Sequence, residues 1–162
     1  RDGSTASDAV SVVTSADPGR AFRQLAAMGL SGEAASFTGE KNEDEKGSLA
    51  FNGGITSGNM LGNGNVLGAM ADAFTGSGQD FESRLLGALK TAQAAGSDFR
   101  GLLSAALLVL HPDRPPLSLR IDHHADDPIG GLEALHRKAT TGDYADWVRQ
   151  VPVSSDRNRV LD

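Results

Sequence analysis

The stretch Gly58-Asn59-Met60-Leu61-Gly62-Asn63-Gly64 sets an amide side chain among glycines. Asn59 is a residue type that can donate to an oxyanion developing on a carbonyl. Glycines at a strand end expose backbone N–H groups and let a ligand approach the main chain, and a helix start just beyond is a favourable place for an anion. The same residues also suit a turn chosen for tight sheet geometry. No Gly-Lys-Ser/Thr follows, so this is not a phosphate loop. A second group is Asp122-His123-His124 with Asp126 and Asp127, whose residue types suit zinc or a similar ion. On a strand, His123 and His124 point to opposite faces, which leaves Asp122, His124 and Asp126 as the metal candidates. The competing reading is a polar strand end leading into a capped helix. Arg120 and Asp122 share one face and can pair with each other or hold a substrate carboxylate. Thr38 and Ser57 are hydroxyls near strand ends, outside any G-x-S-x-G elbow, and Thr38-Gly39 also reads simply as a strand end. His111 and His136 read as solvated or packed.

The elements that must position these groups follow from periodicity and turn chemistry. Thr5-Ala6-Ser7-Asp8 is a capping box opening a helix of about ten residues, closed by Asp17-Pro18-Gly19. Residues 21–38 predict a strand–turn–strand hairpin through Ser31-Gly32, and the mixed-charge run 40–46 predicts a solvated loop. Residues 48–51 and 55–61 predict a second hairpin through Asn52-Gly53-Gly54. Val66, Leu67, Met70 and Phe74 predict a helix, capped by Asn63 or Asn65. Phe81, Leu85, Leu86, Leu89 and Ala92 predict a longer helix closed by Ala95-Gly96-Ser97. Residues 102–110 predict a strand buried on both faces, followed by a proline-rich turn over 111–116 and an alternating strand over 117–124. Asp127-Pro128 predicts a helix start with Ile129, Leu132, Leu135 and Ala139 inward. Asp143 is expected to cap a last short helix anchored by Tyr144 and Trp147, and the tail from Ser154 is expected to be loosely held. Paired strands separated by paired helices are not the alternation of a Rossmann fold.

Composition narrows the function classes. The 162 residues carry 15 basic and 21 acidic side chains, a net charge of −6, which argues against a nucleic-acid binder with its basic stripe. No apolar run approaches the ~20 residues that span a bilayer. The absence of cysteine removes disulfides and thiol chemistry from this stretch and fits a reducing, cytoplasmic setting. Six of the 20 glycines fall between Gly53 and Gly68, which concentrates close backbone approaches around Asn59.

In motif order the chain resembles the bacterial domain-of-unknown-function family 1028. The resemblance rests on Ala16-Asp17-Pro18-Gly19-Arg20 with Arg23-Gln24-Leu25, on Ala35-Ser36-Phe37-Thr38-Gly39, and on Gly58-Asn59-Met60-Leu61. It continues through Ser104-Ala105-Ala106-Leu107-Leu108-Val109 and Leu119-Arg120-Ile121-Asp122 with Asp127-Pro128, and runs from about Arg1 to about Trp147. It implies an α+β fold, the four-layer αββα sandwich of stacked antiparallel sheets found in N-terminal nucleophile hydrolases. Residues 1–150 would form that domain and residues 151–162 a polar tail. It also implies further strands upstream, including the Ser, Thr or Cys nucleophile. Arg1 has no hydroxyl or thiol, so the nucleophile is expected outside this chain and the sandwich is expected to be incomplete at its N-terminus. The implied activity is hydrolysis of a small amide or peptide-like substrate, with the terminal amine as base and no cofactor. Asn59, Thr38, Arg120 and Asp122 are then the candidates for oxyanion or substrate contacts. The resemblance also implies a homodimer, and neither nucleic acid nor membrane is expected as a partner. Two alternatives stand beside it: a non-catalytic binding or assembly protein that keeps the sandwich, and a metal-dependent hydrolase using the Asp122 to Asp127 cluster.

Overall fold

Thr5 opens the first element as the spacing requires. In the computed structural model, which describes residues 3–160, the Thr5 hydroxyl accepts from the Asp8 amide at 3.1 Å while the Asp8 carboxylate accepts from the Thr5 amide at 3.2 Å. This reciprocal cap satisfies donors that a helix start otherwise leaves open. Helix α1 (Ala6–Ser15) follows, then a 3₁₀ turn at Arg20–Phe22. The order continues as β1 (Gln24–Met28), β2 (Ala34–Thr38), β3 (Gly47–Phe51), β4 (Gly54–Gly58), α2 (Val66–Gly76), α3 (Phe81–Ala95), β5 (Ala105–His111), β6 (Arg114–Ile121), α4 (Pro128–Thr140) and α5 (Gly142–Val148). The described residues are thus mixed α and β, with five α-helices and three two-stranded antiparallel sheets. No described helix is long and apolar enough to cross a membrane. Contacts divide the chain into two compact units, Arg1–Gly101 and Leu102–Asp162.

In the first unit, α1 packs on the β1–β2 hairpin, that hairpin contacts β3–β4, and β3–β4 contacts α2, which pairs with α3. The open ends of both hairpins meet, because Gln24 of β1 bonds to both end residues of the β3–β4 ladder. Their tips also adjoin, since a Cβ at Gly32 would lie 3.9 Å from the Gly53 Cα. The core holds Val10 of α1, Val66 and Phe74 of α2, and Leu86 of α3. Phe51, Phe74 and Phe81 form a chain of ring contacts with centroids 5.7 and 5.8 Å apart, spacings favourable for tilted and edge-on pairs. Three local expectations change here. β4 stops at Gly58 rather than at residue 61, because Met60 takes a left-handed φ of 57° and turns the chain out of the ladder. α2 begins without a side-chain cap, since the Asn63 side-chain oxygen Oδ1 accepts from the Asn65 amide instead. On α3, Phe81 stays half-exposed and Glu82 is buried in its place.

In the second unit, β5 and β6 form a hairpin whose turn is only Pro112-Asp113. Pro115 and Pro116, expected in the turn, lie within β6, which pairs on one side only and so tolerates residues without a ladder donor. β5 is buried on one face rather than two: Leu107 and Val109 are buried, while Leu108 and Leu110 are exposed. α4 packs on this hairpin. Asp127 caps it through the Gly130 amide at 2.8 Å with Pro128 in the first turn, and Leu132 is fully buried. α5 is preceded by Thr141 as its cap residue, with Asp143 in its first turn and no side-chain cap bond. Tyr144 and Trp147 stack at 5.9 Å but stay half-exposed, and Ala145 is the buried residue of α5. Within residues 155–160, the Ser155 amide and hydroxyl both donate to the Pro112 carbonyl, and Arg159 donates to that of Arg149.

Candidate functional site

Two of the four predicted contact residues, Thr38 and Asn59, meet through a third that sequence reasoning did not single out. Gln24 is the first residue of β1 and lies directly across from Thr38, the last of β2. Its two N–H groups are shared among the Thr38 hydroxyl at 3.1 Å, the Gly58 carbonyl at 2.8 Å and the Gly47 carbonyl at 3.2 Å. Its carbonyl oxygen accepts from the Asn59 amide at 3.0 Å. All three side chains are half-buried. The signal in the sequence was a single long polar residue at the head of the apolar run Leu25-Ala26-Ala27-Met28.

The surroundings fix this node from both ends. On the hairpin side, the Gly39 amide donates to the Arg23 carbonyl at 2.8 Å, and the Asn42 side chain donates to the same carbonyl at 2.9 Å. A Cβ on Gly39 would sit 2.3 Å from the carbonyl oxygens of Arg20 and Ala21, so the close approach there demands glycine. Asp17 ties in the preceding turn: its carboxylate accepts from the Gly19 amide at 2.7 Å and the Arg23 guanidinium at 2.9 Å. The Gly19 amide, with help from Arg23, holds the Asp17 carboxyl below its ordinary value although some desolvation opposes this. On the other side, Asn59 stands between the end of β4 and the left-handed Met60. The chain beyond is clasped onto the end of α3. The Leu61 amide donates to the Glu45 carbonyl, Gly62 to Ser97, and Phe99 to Met60.

The glycine-rich loop therefore divides. Gly62 and Asn63 are structural: a Cβ on Gly62 would lie 2.4 Å from the Gly96 carbonyl oxygen, and the Asn63 side chain donates to the Ala95 carbonyl at 2.6 Å. Only Asn59, at the loop's start, joins the polar node. Among the described residues, the second N–H of Asn59 and the hydroxyl proton of Thr38 have no partner. The node thus presents two donors whose heavy atoms are held by Gln24. Ser57, the other hydroxyl considered, lies across from Ser48 and is exposed.

The remaining candidates lie in the second unit and are engaged differently. Arg120 donates to one oxygen of Asp122 through both Nε (3.1 Å) and Nη2 (2.7 Å), an exposed pair. β6 ends at Ile121, so His123 and His124 lie in a turn, not on a strand. The His124 Nδ1 accepts from the amides of Asp126 and Asp127 at 3.3 and 2.9 Å, and the Asp127 carboxylate is the cap of α4. Asp122, His124 and Asp126 do not converge, and among the described residues no group of three His, Asp or Glu side chains could hold a metal ion. His111 uses its Nδ1 to accept from the Asp113 amide at 3.1 Å in the β5–β6 turn, and His136 is half-buried on α4.

The chain is similar over its whole length to a protein of solved structure. The crystal structure of protein SPO2555 from Silicibacter pomeroyi, described as DUF1028, matches with a TM-score of 0.95 and 65% sequence identity, covering 100% of this chain and 70% of that one. No curated protein matches the chain. The model of the family of unknown function DUF1028 matches residues 1–132. Extensive likeness in sequence and fold together with that match place the chain in one family: it belongs to DUF1028, a family of unknown function.

Proposed function

We propose that the chain is part of an amide-bond hydrolase of the N-terminal nucleophile type and that Asn59 and Thr38 are its oxyanion donors. The observation that carries this reading is the Gln24 clamp. Donors count most in catalysis when they are oriented before charge develops and need no rearrangement as it does. Gln24 uses its own carbonyl to hold one hydrogen of the Asn59 amide and its own nitrogen to hold the oxygen of Thr38. The remaining N–H and O–H are left to an incoming oxygen. The succession of α1, β1–β2, β3–β4 and α2 by contact in the first unit supports reading the fold as an αββα sandwich.

On this reading the nucleophile is a Ser, Thr or Cys at a mature amino terminus outside the present chain. Its α-amino group, with an ordinary pKa near 8, takes the nucleophile's proton. The nucleophile bonds to the substrate carbonyl carbon, and the resulting oxyanion accepts from Asn59 and Thr38. The C–N bond then breaks and the amine leaves with the proton. Water releases the acyl group in the second half. The experiment is amine or ammonia release from a panel of small amides and dipeptides by the full-length mature protein. Asn59→Ala is expected to lower kcat about 10²-fold with KM little changed, the usual cost of one oxyanion donor. An active enzyme whose kcat is untouched by Asn59→Ala and Thr38→Val contradicts the proposal.

A further inference from the structure

The sequence holds two Asn-Gly pairs, Asn52-Gly53 and Asn63-Gly64, and the structure treats them in opposite ways. Asn-Gly is chemically vulnerable because glycine has no side chain to block its own nitrogen from the neighbouring carboxamide. Asn52-Gly53 is the turn joining β3 and β4. Asn52 is exposed, and its side chain has no hydrogen-bond partner among the described residues. The Gly53 N–H likewise has no acceptor among them. Gly53 takes a φ of +79° with open space where a Cβ would stand. Asn63 is pinned at both ends of its amide: Nδ2 donates to the Ala95 carbonyl at 2.6 Å, and Oδ1 accepts from the Asn65 amide at 2.9 Å.

We propose that Asn52 is the site of spontaneous deamidation in this protein and that Asn63 is protected by its two hydrogen bonds. The Gly53 nitrogen attacks Cγ of Asn52. The new C–N bond closes a five-membered imide, the Cγ–Nδ2 bond breaks, and ammonia leaves carrying the proton lost from Gly53. Water then opens the imide at either carbonyl, giving aspartate or isoaspartate. No oxidant or enzyme is needed. Either product adds a negative charge at the tip of the hairpin, and isoaspartate lengthens the turn backbone by one carbon beside the neighbouring tip at Gly32. Asn63 can follow the same course only after both of its hydrogen bonds break.

The test is incubation of the folded chain in mildly alkaline buffer, sampled over time by mass spectrometry for the gain of about 1 Da that each conversion makes. No Lys or Arg lies between Lys46 and Arg84, so one tryptic peptide carries both sites and fragment ions must localise the gain. Conversion at Asn52 is expected to outpace Asn63 by at least about tenfold, the factor given by 1.4 kcal/mol of extra barrier. In denaturant the two sites are expected to convert at similar rates, and Asn52→Gln is expected to remove most of the gain in the folded chain. Conversion of Asn63 at the pace of Asn52 in the folded chain, a preference unchanged by unfolding, or an undiminished gain in Asn52→Gln would each overturn the proposal.

Discussion

Replacing Gln24 probes both the fold and the site, because one side chain reaches four polar partners. The Gly47 and Gly58 carbonyls that accept from it stand at the open end of the β3–β4 ladder and are half-buried, so water can replace the lost donor when Gln24 is truncated. Thr38 and Asn59 are only half-buried and can turn toward water. Two N–H groups shared among three acceptors plus one accepted bond amount to about three bonds of about 1 kcal/mol each, and the recovery leaves Gln24→Ala a cost of about 1–2 kcal/mol. Gln24→Glu keeps the shape but replaces the donor with an acceptor facing two carbonyl oxygens, so at neutral pH it is expected to cost more than the alanine. The folded state then favours the protonated form of the introduced carboxyl, whose folded pKa rises above its unfolded value near 4.3. Its penalty is absent below that unfolded value and grows as pH rises toward the folded one. Urea denaturation of both variants at several pH values reads these differences as shifts in midpoint at constant slope. A Gln24→Ala variant within about 0.5 kcal/mol of the parent, the range of ordinary surface changes, or a Gln24→Glu penalty that does not vary with pH would refute this role of Gln24.

Other perturbations test the supports around this node and the second unit. Gly39→Ala drives a methyl into the carbonyls of Arg20 and Ala21 and is expected to cost about 3 kcal/mol, read by thermal melting; an unchanged melting temperature would contradict the packing described. Leu132→Ala empties the most buried position of α4 and is expected to cost about 2–5 kcal/mol by chemical denaturation. The Arg100 side chain, with its backbone amide, holds the Asp98 carboxyl below its ordinary value against partial desolvation. Its folded pKa lies below the unfolded one, so its contribution is full above about pH 4 and is lost as pH falls through the folded value. Asp98→Asn is therefore expected to narrow its stability gap with the parent on the acid side, and a gap constant down to the acid transition would argue against the pairing.

Much of the frame is written locally. The Thr5–Asp8 box, the Asp127-Pro128 start and the turn glycines act over three or four residues, so they appear in the sequence as they do in the fold, and the element order follows. What escaped depends on partners distant in the chain. Gln24 gains its importance from Gly58 and Asn59, 34 and 35 residues away, and no local pattern marks it. The end of β4 is set by the left-handed Met60, whose conformation is fixed by clasping residues 61 and 62 onto residues 97 and 98. The continuous apolar run in β5 suggested two covered faces, but the observed hairpin leaves Leu108 and Leu110 exposed, and hydrophobicity alone does not say what lies opposite. His124 and Asp126 looked like metal ligands by type, yet the His124 nitrogen is occupied by a turn's own amides.

On the proposed reading, the Gln24 clamp serves a nucleophile at a processed amino terminus. Intact-mass and N-terminal sequence measurement of the full-length natural gene product tests it most directly. A mature chain beginning with Ser, Thr or Cys is expected; a mature chain beginning with any other residue rules out the N-terminal nucleophile.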